Sequence, residues 1–120
     1  MGITHVTAKL ASTRDTGDPY EADFLVDTGA LHCLAPASEV EKAGIQRRSK
    51  RSYELANGEL VEFEVGFAEL SVLGEQTVIE VIFGPENAEP ILGVLALESL
   101  GIVVDPVSQT LKRLHAFPLK

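Results

Sequence analysis

One acid follows directly on a run of apolar residues and is therefore the first candidate for chemistry. Asp27 comes after Phe24-Leu25-Val26, whose aromatic and β-branched content is typical of a buried strand. A lone carboxylate delivered from a protein core costs several kcal/mol to bury, or else stays protonated, so an acid here needs partners or a purpose. We interpret Asp27 as a catalytic carboxylate.

The three residues that follow Asp27 suit that role. The hydroxyl of Thr28 can supply a hydrogen bond. Gly29 allows the backbone to turn sharply and approach the carboxylate, and Ala30 leaves the space beside it open. These residues are the predicted supports of Asp27.

A second Asp-Thr-Gly triplet begins at Asp15, but no apolar run leads into it. It is flanked by Arg14, Asp18 and Pro19, residues that are typical of an exposed turn. The sequence therefore predicts a turn between two strands at Asp15 and no catalytic role.

The segment Phe24–Ala30 resembles the active-site segment of retropepsin-like aspartic proteases. Downstream, Pro90-Ile91-Leu92-Gly93 resembles the apolar-apolar-Gly segment that in this family packs behind the active-site loop and leads into a short helix. The resemblance covers about residues 3–114. It implies an all-β fold, a closed or partly open barrel of antiparallel strands with one or two short helices, assembled as a C2 homodimer.

The implied function is that of an aspartic endopeptidase acting on extended peptide segments. This chemistry uses two adjacent carboxylates that share one proton, and the chain offers one credible site, so the second Asp27 must come from a partner subunit. The resemblance further implies that Thr28 bonds across the dimer axis. The alternative is a catalytically silent dimerisation or peptide-binding module of the same fold. An aspartyl-phosphate mechanism lacks phosphate-cradling glycines and a magnesium-binding acid cluster.

Alternating apolar and polar residues predict the strands that position Asp27. Strands are expected over residues 3–10, 20–26 and 31–34, and a short helix over 36–44 with Ser38 and Glu41 as its capping box.

A hairpin is predicted for Ser52–Leu55 and Leu60–Val65. Its turn, Ala56-Asn57-Gly58-Glu59, contains the Asn-Gly pair that favours positive φ at both central positions. The family resemblance implies that this hairpin is the flap that closes over the substrate.

The remaining chain is predicted to form short strands and one helix. Strands are expected over 69–73, 76–83, 103–104 and 110–114, with a helix over 94–100 that ends at Gly101. Asp105 also follows an apolar pair, but Asp105-Pro106 is typical of a turn.

Length and charge limit the function classes. The 120 residues, 45% of them hydrophobic, fit one domain over residues 1–120. The net charge of −8 argues against nucleic acid as a partner, and no apolar stretch approaches a membrane span. The start, Met1-Gly2-Ile3-Thr4-His5, does not resemble a signal peptide, so we expect a cytoplasmic location.

We expect no metal and no cofactor. Cys33 is the only cysteine, and the three histidines lack metal-ligand spacing. Cys33 and His32 are adjacent, so on a strand they would point to opposite faces, and a buried structural cysteine is favoured over a nucleophile pair. The basic segment Gln46–Arg51 is interpreted as a solvated loop, although a polyanion site, an address signal or attraction of an acidic substrate stays open.

Overall fold

The structure is a computed structural model that describes residues 4–119. Its strands are β1 (His5–Ala11), β2 (Tyr20–Val26), β3 (Cys33–Pro36), β4 (Ser49–Glu54), β5 (Leu60–Val72), β6 (Glu75–Gly84), β7 (Ile91–Leu92), β8 (Ile102–Asp105) and β9 (Thr110–Arg113). Its helices are α1 (Ala37–Lys42) and α2 (Val94–Leu100). Ile3, the predicted start of the first strand, lies outside the described residues, as do Met1, Gly2 and Lys120. No helix in the described part is long and apolar enough to cross a membrane.

Six strands form a closed barrel in the order β1-β2-β7-β3-β6-β5, and it closes because β1 pairs with both β2 and β5. β4 pairs with the first half of β5 and lies outside the barrel. β8 and β9 form a separate two-stranded sheet. The predicted all-β barrel with short helices is confirmed.

Two strand pairings are parallel, so the prediction of a uniformly antiparallel barrel is wrong. β2 pairs with β7, and β3 pairs with β6, in parallel register. Parallel neighbours are joined by long crossovers, whereas turn signals in a sequence report only on hairpins between consecutive strands. The first of these pairings sets Val26 beside Leu92 at the end of β2.

Apolar side chains fill the barrel and anchor β2. Leu10, Phe24 and Leu70 are each 0% exposed, and complete burial of such a side chain stabilises the fold by about 1.5–3 kcal/mol. Leu25 and Val26 are only half-buried. β2 therefore leaves the core just before Asp27.

The predicted hairpin forms between β4 and β5, but the two-residue turn expected at its Asn57-Gly58 occurs instead between β5 and β6. Leu73 and Gly74 both have positive φ, 52° and 82°, which makes the β5–β6 connection the two-residue turn. At the first hairpin only Gly58 has positive φ, 87°. Its amide donates to the Leu55 carbonyl at 2.8 Å, and Asn57 Oδ1 accepts the Glu59 amide at 2.9 Å. The Asn57 side chain thus stabilises a longer turn.

β5 is continuous, whereas the sequence predicted two separate strands, over 60–65 and 69–73. Gly66 lies at its middle, where an added Cβ would come within 2.2 Å of the Gln46 carbonyl oxygen. The glycine lets the segment before β4 pass close to the backbone of β5. There the Arg48 amide donates to the Val65 carbonyl at 2.8 Å. The hairpin is therefore an extension of a barrel strand.

The basic segment is exposed, as predicted, but it is a loop only over its first three residues, because β4 begins inside it at Ser49. Arg47 pairs with Glu41 and Glu64, and Arg51 pairs with Glu80. These basic groups are neutralised by acids of the same chain.

The predicted capping box of α1 is wrong. Pro36 is the N-cap residue and no side chain of the helix caps it. Instead, the amide of Ser38 donates to Glu86 Oε2 at 2.9 Å, and its hydroxyl donates to Oε1. A carboxylate from the β6–β7 loop thus satisfies the donors that a helix start leaves open.

Candidate active site

Asp27 is the first residue after β2, and its backbone is tied to the neighbouring strand. Its amide donates to the Leu92 carbonyl at 3.0 Å, which continues the parallel pairing of β2 with β7. Leu92 is 0% exposed, whereas Asp27 is half-buried. The carboxylate therefore lies on a rigid support at the edge of the core, where it remains accessible.

One backbone donor orients the Asp27 carboxylate, and a second holds the main chain of Asp27. The Gly29 amide donates to Asp27 Oδ1 at 2.9 Å, and the Ala30 amide donates to the Asp27 carbonyl at 3.1 Å. A Cβ on Gly29 would lie 3.2 Å from Oδ1, a contact tighter than most real ones. The glycine lets the chain turn back on the carboxylate, as its residue type predicts.

The segment Ile91-Leu92-Gly93 lies against the loop that carries Asp27, which we define as residues 27–32. An added Cβ on Gly93 would lie 2.6 Å from the carbonyl oxygens of both Leu31 and His32. Beyond it, the Val94 amide donates to the Ala30 carbonyl at 2.7 Å and the Leu95 amide to the Leu31 carbonyl at 3.3 Å. The start of α2 therefore holds the far side of the loop.

The outward side of this loop is exposed. Thr28 and Gly29 are exposed and Ala30 is half-buried. Within residues 4–119 the Thr28 hydroxyl makes no hydrogen bond, so its side chain is available to a partner. Leu31 is 53% exposed, an apolar residue at the site that the sequence analysis did not single out.

The hairpin turn Ala56–Glu59 is exposed throughout. The apolar residues that flank it, Leu55 and Leu60, are 42% and 70% exposed. An added Cβ on Gly58 would meet nothing within 4 Å. The turn therefore lies apart from the packed barrel and carries uncovered apolar surface.

Cys33 is a buried structural residue, as the sequence predicted. It is 1% exposed, and burial raises the pKa of its thiol to about 11. The neighbouring His32 ring contacts Tyr53 and Glu80 instead. A Cys33 nucleophile has no support, because the thiolate that such chemistry needs is disfavoured.

The two other candidate acids lie in a turn or next to one, since Asp105 is the last residue of β8 and begins the turn that follows it. Asp15 is exposed in the β1–β2 connection, with a positive φ of 62°. Asp105 Oδ1 accepts the amide of Val107 at 2.9 Å, and Lys112 contacts Oδ2 at 3.1 Å. The Val107 amide above all, then Lys112, hold the pKa of Asp105 below its usual value. Both turn predictions are confirmed.

A family model described as aspartyl protease matches residues 12–107 of this chain. This range includes Asp27, the β4–β5 hairpin and the segment 91–93. No curated protein matches the sequence.

Three solved structures illustrate the likeness of fold. The EIAV protease in complex with an inhibitor is 21% identical, with a TM-score of 0.56 over 83% of this chain and 89% of its own. A retropepsin-like aspartic protease from Rickettsia conorii is 24% identical, with a TM-score of 0.52 over 87% and 85%. The retroviral protease-like domain of Ddi1 from Leishmania major is 14% identical, with a TM-score of 0.57 over 97% and 91%. At these identities the likeness shows the fold.

Proposed function

This chain belongs to the aspartyl protease family, and from that premise we propose that it is an aspartic endopeptidase whose active site forms between two subunits. In a C2 homodimer, each subunit contributes one Asp27. The observation that carries the proposal is the Asp27 carboxylate itself, which is half-buried on a rigid loop and oriented by the Gly29 amide at 2.9 Å.

The chemistry follows from bringing two such carboxylates together. Two acids at contact distance cannot both ionise cheaply, so the pair holds one proton. The ionised member takes a proton from a bound water, which attacks the peptide carbonyl, while the protonated member donates to the carbonyl oxygen. This reaction needs no metal and no cofactor. The Gly29 amide would fix one oxygen of each carboxylate and leave the other for the water.

The need for a second subunit follows from the acids available in one chain. Asp15 lies in an exposed connection and Asp105 is engaged within its own turn. Unlike Asp105, whose carboxylate Lys112 contacts at 3.1 Å, Asp27 combines an apolar approach and a backbone donor with a carboxylate that no basic side chain of the described residues pairs with. The exposed Thr28 and Leu31 support the proposal, because a twofold axis beside Asp27 would bring these residues against their copies.

We assign the β4–β5 hairpin, with its turn Ala56–Glu59, as the flap over the substrate. Its tip is exposed, and among the described strands β4 pairs with β5 alone. A free strand edge can pair with an extended peptide through backbone hydrogen bonds. The proposed substrates are therefore extended segments of peptides or proteins.

The experiment that tests the activity is digestion of a peptide library, with and without a transition-state analogue of aspartic proteases. Wild type should cleave and the analogue should inhibit. Asp27→Asn and Asp27→Ala should be inactive, whereas the matched control Asp15→Asn should keep its activity. A folded wild-type dimer with no cleavage would favour the silent binding module, and cleavage by Asp27→Ala would refute the assignment.

A mixing experiment tests the shared site. Specific activity should fall on dilution as dimers dissociate. An equal mixture of wild-type and Asp27→Asn chains should leave roughly a quarter of the dimers wild type after exchange. Molecular mass is measured alongside activity. A monomer that stays fully active, and is indifferent to the added variant after demonstrated exchange, would refute the dyad.

A further inference from the structure

Four side chains connect the β4–β5 hairpin to the barrel, and the proposed chemistry uses none of them. Arg51 and Tyr53 lie two residues apart on β4 and therefore project from the same face of that strand. Arg51 contacts Glu80 of β6, and Tyr53 contacts His32, the last residue of the loop that carries Asp27. We call these four residues the latch.

His32 is the centre of the latch. Its side chain is 9% exposed. Nδ1 lies 3.0 Å from the Tyr53 hydroxyl and Nε2 lies 3.5 Å from Glu80 Oε1. The imidazole also stands edge-on to the Tyr53 ring, with centroids 5.8 Å apart. Both ring nitrogens thus face polar groups from different strands.

The partners of His32 determine which nitrogen carries the proton. Glu80 accepts two hydrogen bonds from Arg51, at 2.7 and 3.1 Å, so its oxygens act as acceptors toward their neighbours. In the neutral imidazole the proton is then on Nε2, facing Glu80, and the Tyr53 hydroxyl donates to Nδ1. Burial above all, then Glu80, raises the pKa of Tyr53, which keeps this donor protonated.

The position of His32 in the chain connects the latch to catalysis. The carbonyl of Ala30 is held by Val94 and that of Leu31 by Leu95, so the backbone leading from Asp27 to His32 is fixed. At the hairpin, Tyr53 pairs with Val61, one step from the last strand pair before the turn. The contact between Tyr53 and His32 therefore joins the outer part of the hairpin to the loop that carries Asp27.

We propose that His32 is a positioning residue, which holds the hairpin over the catalytic loop through Tyr53 while Glu80 and Arg51 fix the orientation of its ring. The effect on catalysis rests on the proposed function. The latch itself lies within one chain and can be tested separately.

The first test measures amide hydrogen exchange in Tyr53→Phe, which removes the hydroxyl and keeps the ring. Loss of one hydrogen bond should speed exchange at Leu55 and Gly58 by roughly 2- to 10-fold, and leave the barrel amide of Asp27 unchanged. Tyr20→Phe is the matched control, since the Tyr20 hydroxyl has no hydrogen-bond partner within residues 4–119. Equal hairpin exchange in the two variants, or equal acceleration at Asp27, would refute the latch.

The second test concerns the His32 ring and the kinetics. The ¹⁵N spectrum of wild type should show the Nε2-protonated tautomer, and Tyr53→Phe should shift the Nδ1 signal. Tyr53→Phe should lower kcat/KM by roughly 2- to 10-fold, mainly through KM, and add nothing further in a His32→Leu background.

The outcomes separate the latch from the proposed activity. If wild type proves inactive, the proposed activity fails, and the exchange and ¹⁵N data still decide whether the latch exists. Faster hairpin exchange with an unchanged kcat/KM would overturn the positioning role. Additive losses in the double variant would also overturn it, because the two residues would then act independently.

Discussion

Replacing Gly93 by alanine should displace the loop that carries Asp27, through steric contacts with two carbonyl oxygens. The new Cβ would lie 2.6 Å from the carbonyl oxygens of Leu31 and His32, whereas real Cβ atoms essentially never approach other atoms within 3.0 Å. Each contact must therefore lengthen by at least 0.4 Å, the difference between these two distances. Gly93 has φ −86° and ψ 171°, which alanine adopts without strain. The steric clash is therefore the only cause of destabilisation that we expect from this substitution.

The loss of folding stability can be worked out from the groups that must move. Overpacking against backbone atoms costs about 1–3 kcal/mol. The hydrogen bonds from Val94 and Leu95 to the loop, at 2.7 and 3.3 Å, would stretch or break as the two segments separate. At about 1 kcal/mol each, their loss brings the expected destabilisation to roughly 3–5 kcal/mol. A displacement of about 1 Å at Asp27 can lower the rate by about 100-fold.

Urea unfolding and kcat/KM, measured under conditions in which the variant is folded, check this prediction. Gly74→Ala is the matched control. At Gly74 the φ is 82° and the nearest atom to a Cβ is Arg113 Nη1 at 3.8 Å, so only backbone strain of about 1–2 kcal/mol is expected there. The reasoning is refuted if Gly93→Ala unfolds within about 0.5 kcal/mol of wild type, or if both variants lose activity equally.

Three shorter predictions concern pH, the hairpin and α1. Activity should have a bell-shaped pH profile with its optimum below neutrality, because the proposed pair works only while it holds one proton; a rate still rising at about pH 9 would contradict it. Gly58→Val should lower turnover more than melting temperature, because φ is 87° but the added Cβ meets no neighbour; full activity, or a loss explained by unfolding, would remove the flap assignment. Glu86→Gln should destabilise the fold at neutral pH and not in acid. The hydroxyl of Ser38, then its amide, lower the Glu86 pKa from 4.5, so the stabilisation is present above that value and lost as pH falls through the folded pKa. Urea titrations between about pH 3 and pH 7, with the exposed Glu69→Gln as control, check this sign, and a difference that persists in acid would contradict it.

The sequence was sufficient where a residue's own neighbours determine its environment. β2 was predicted over residues 20–26 because its apolar residues lie next to one another, and the structure has the same bounds. α2 ends at Gly101, whose φ of 72° is the conformation that glycine favours. Asp15 and Asp105 were recognised as turn residues because turn chemistry is local.

Prediction failed where a side chain takes a hydrogen bond that the local pattern assigns elsewhere. Ser38 looked like a cap for its own helix, but Glu86, 48 residues away, takes both of its donors. Asn57-Gly58 favoured a two-residue turn, but Asn57 uses its side chain to hold Glu59 in a longer one. In the first case the better partner lies far along the chain, and in the second a side chain within the turn itself overrides the backbone preference of the Asn-Gly pair.

The candidate site illustrates the same division. Asp27 and Gly29 could be recognised because they are two residues apart in the sequence and interact with each other. The role of Gly93 depends on a backbone approach from Leu31 and His32, which the pairing of β7 with both β2 and β3 brings about. Tyr53 and His32 are in contact although they are 21 residues apart in the sequence, and neither residue is part of a recognisable motif. The carboxylate of such a site can therefore be found from sequence, whereas the contacts that position it emerge only when the barrel closes, and substitutions at Gly93 and Tyr53 test them directly.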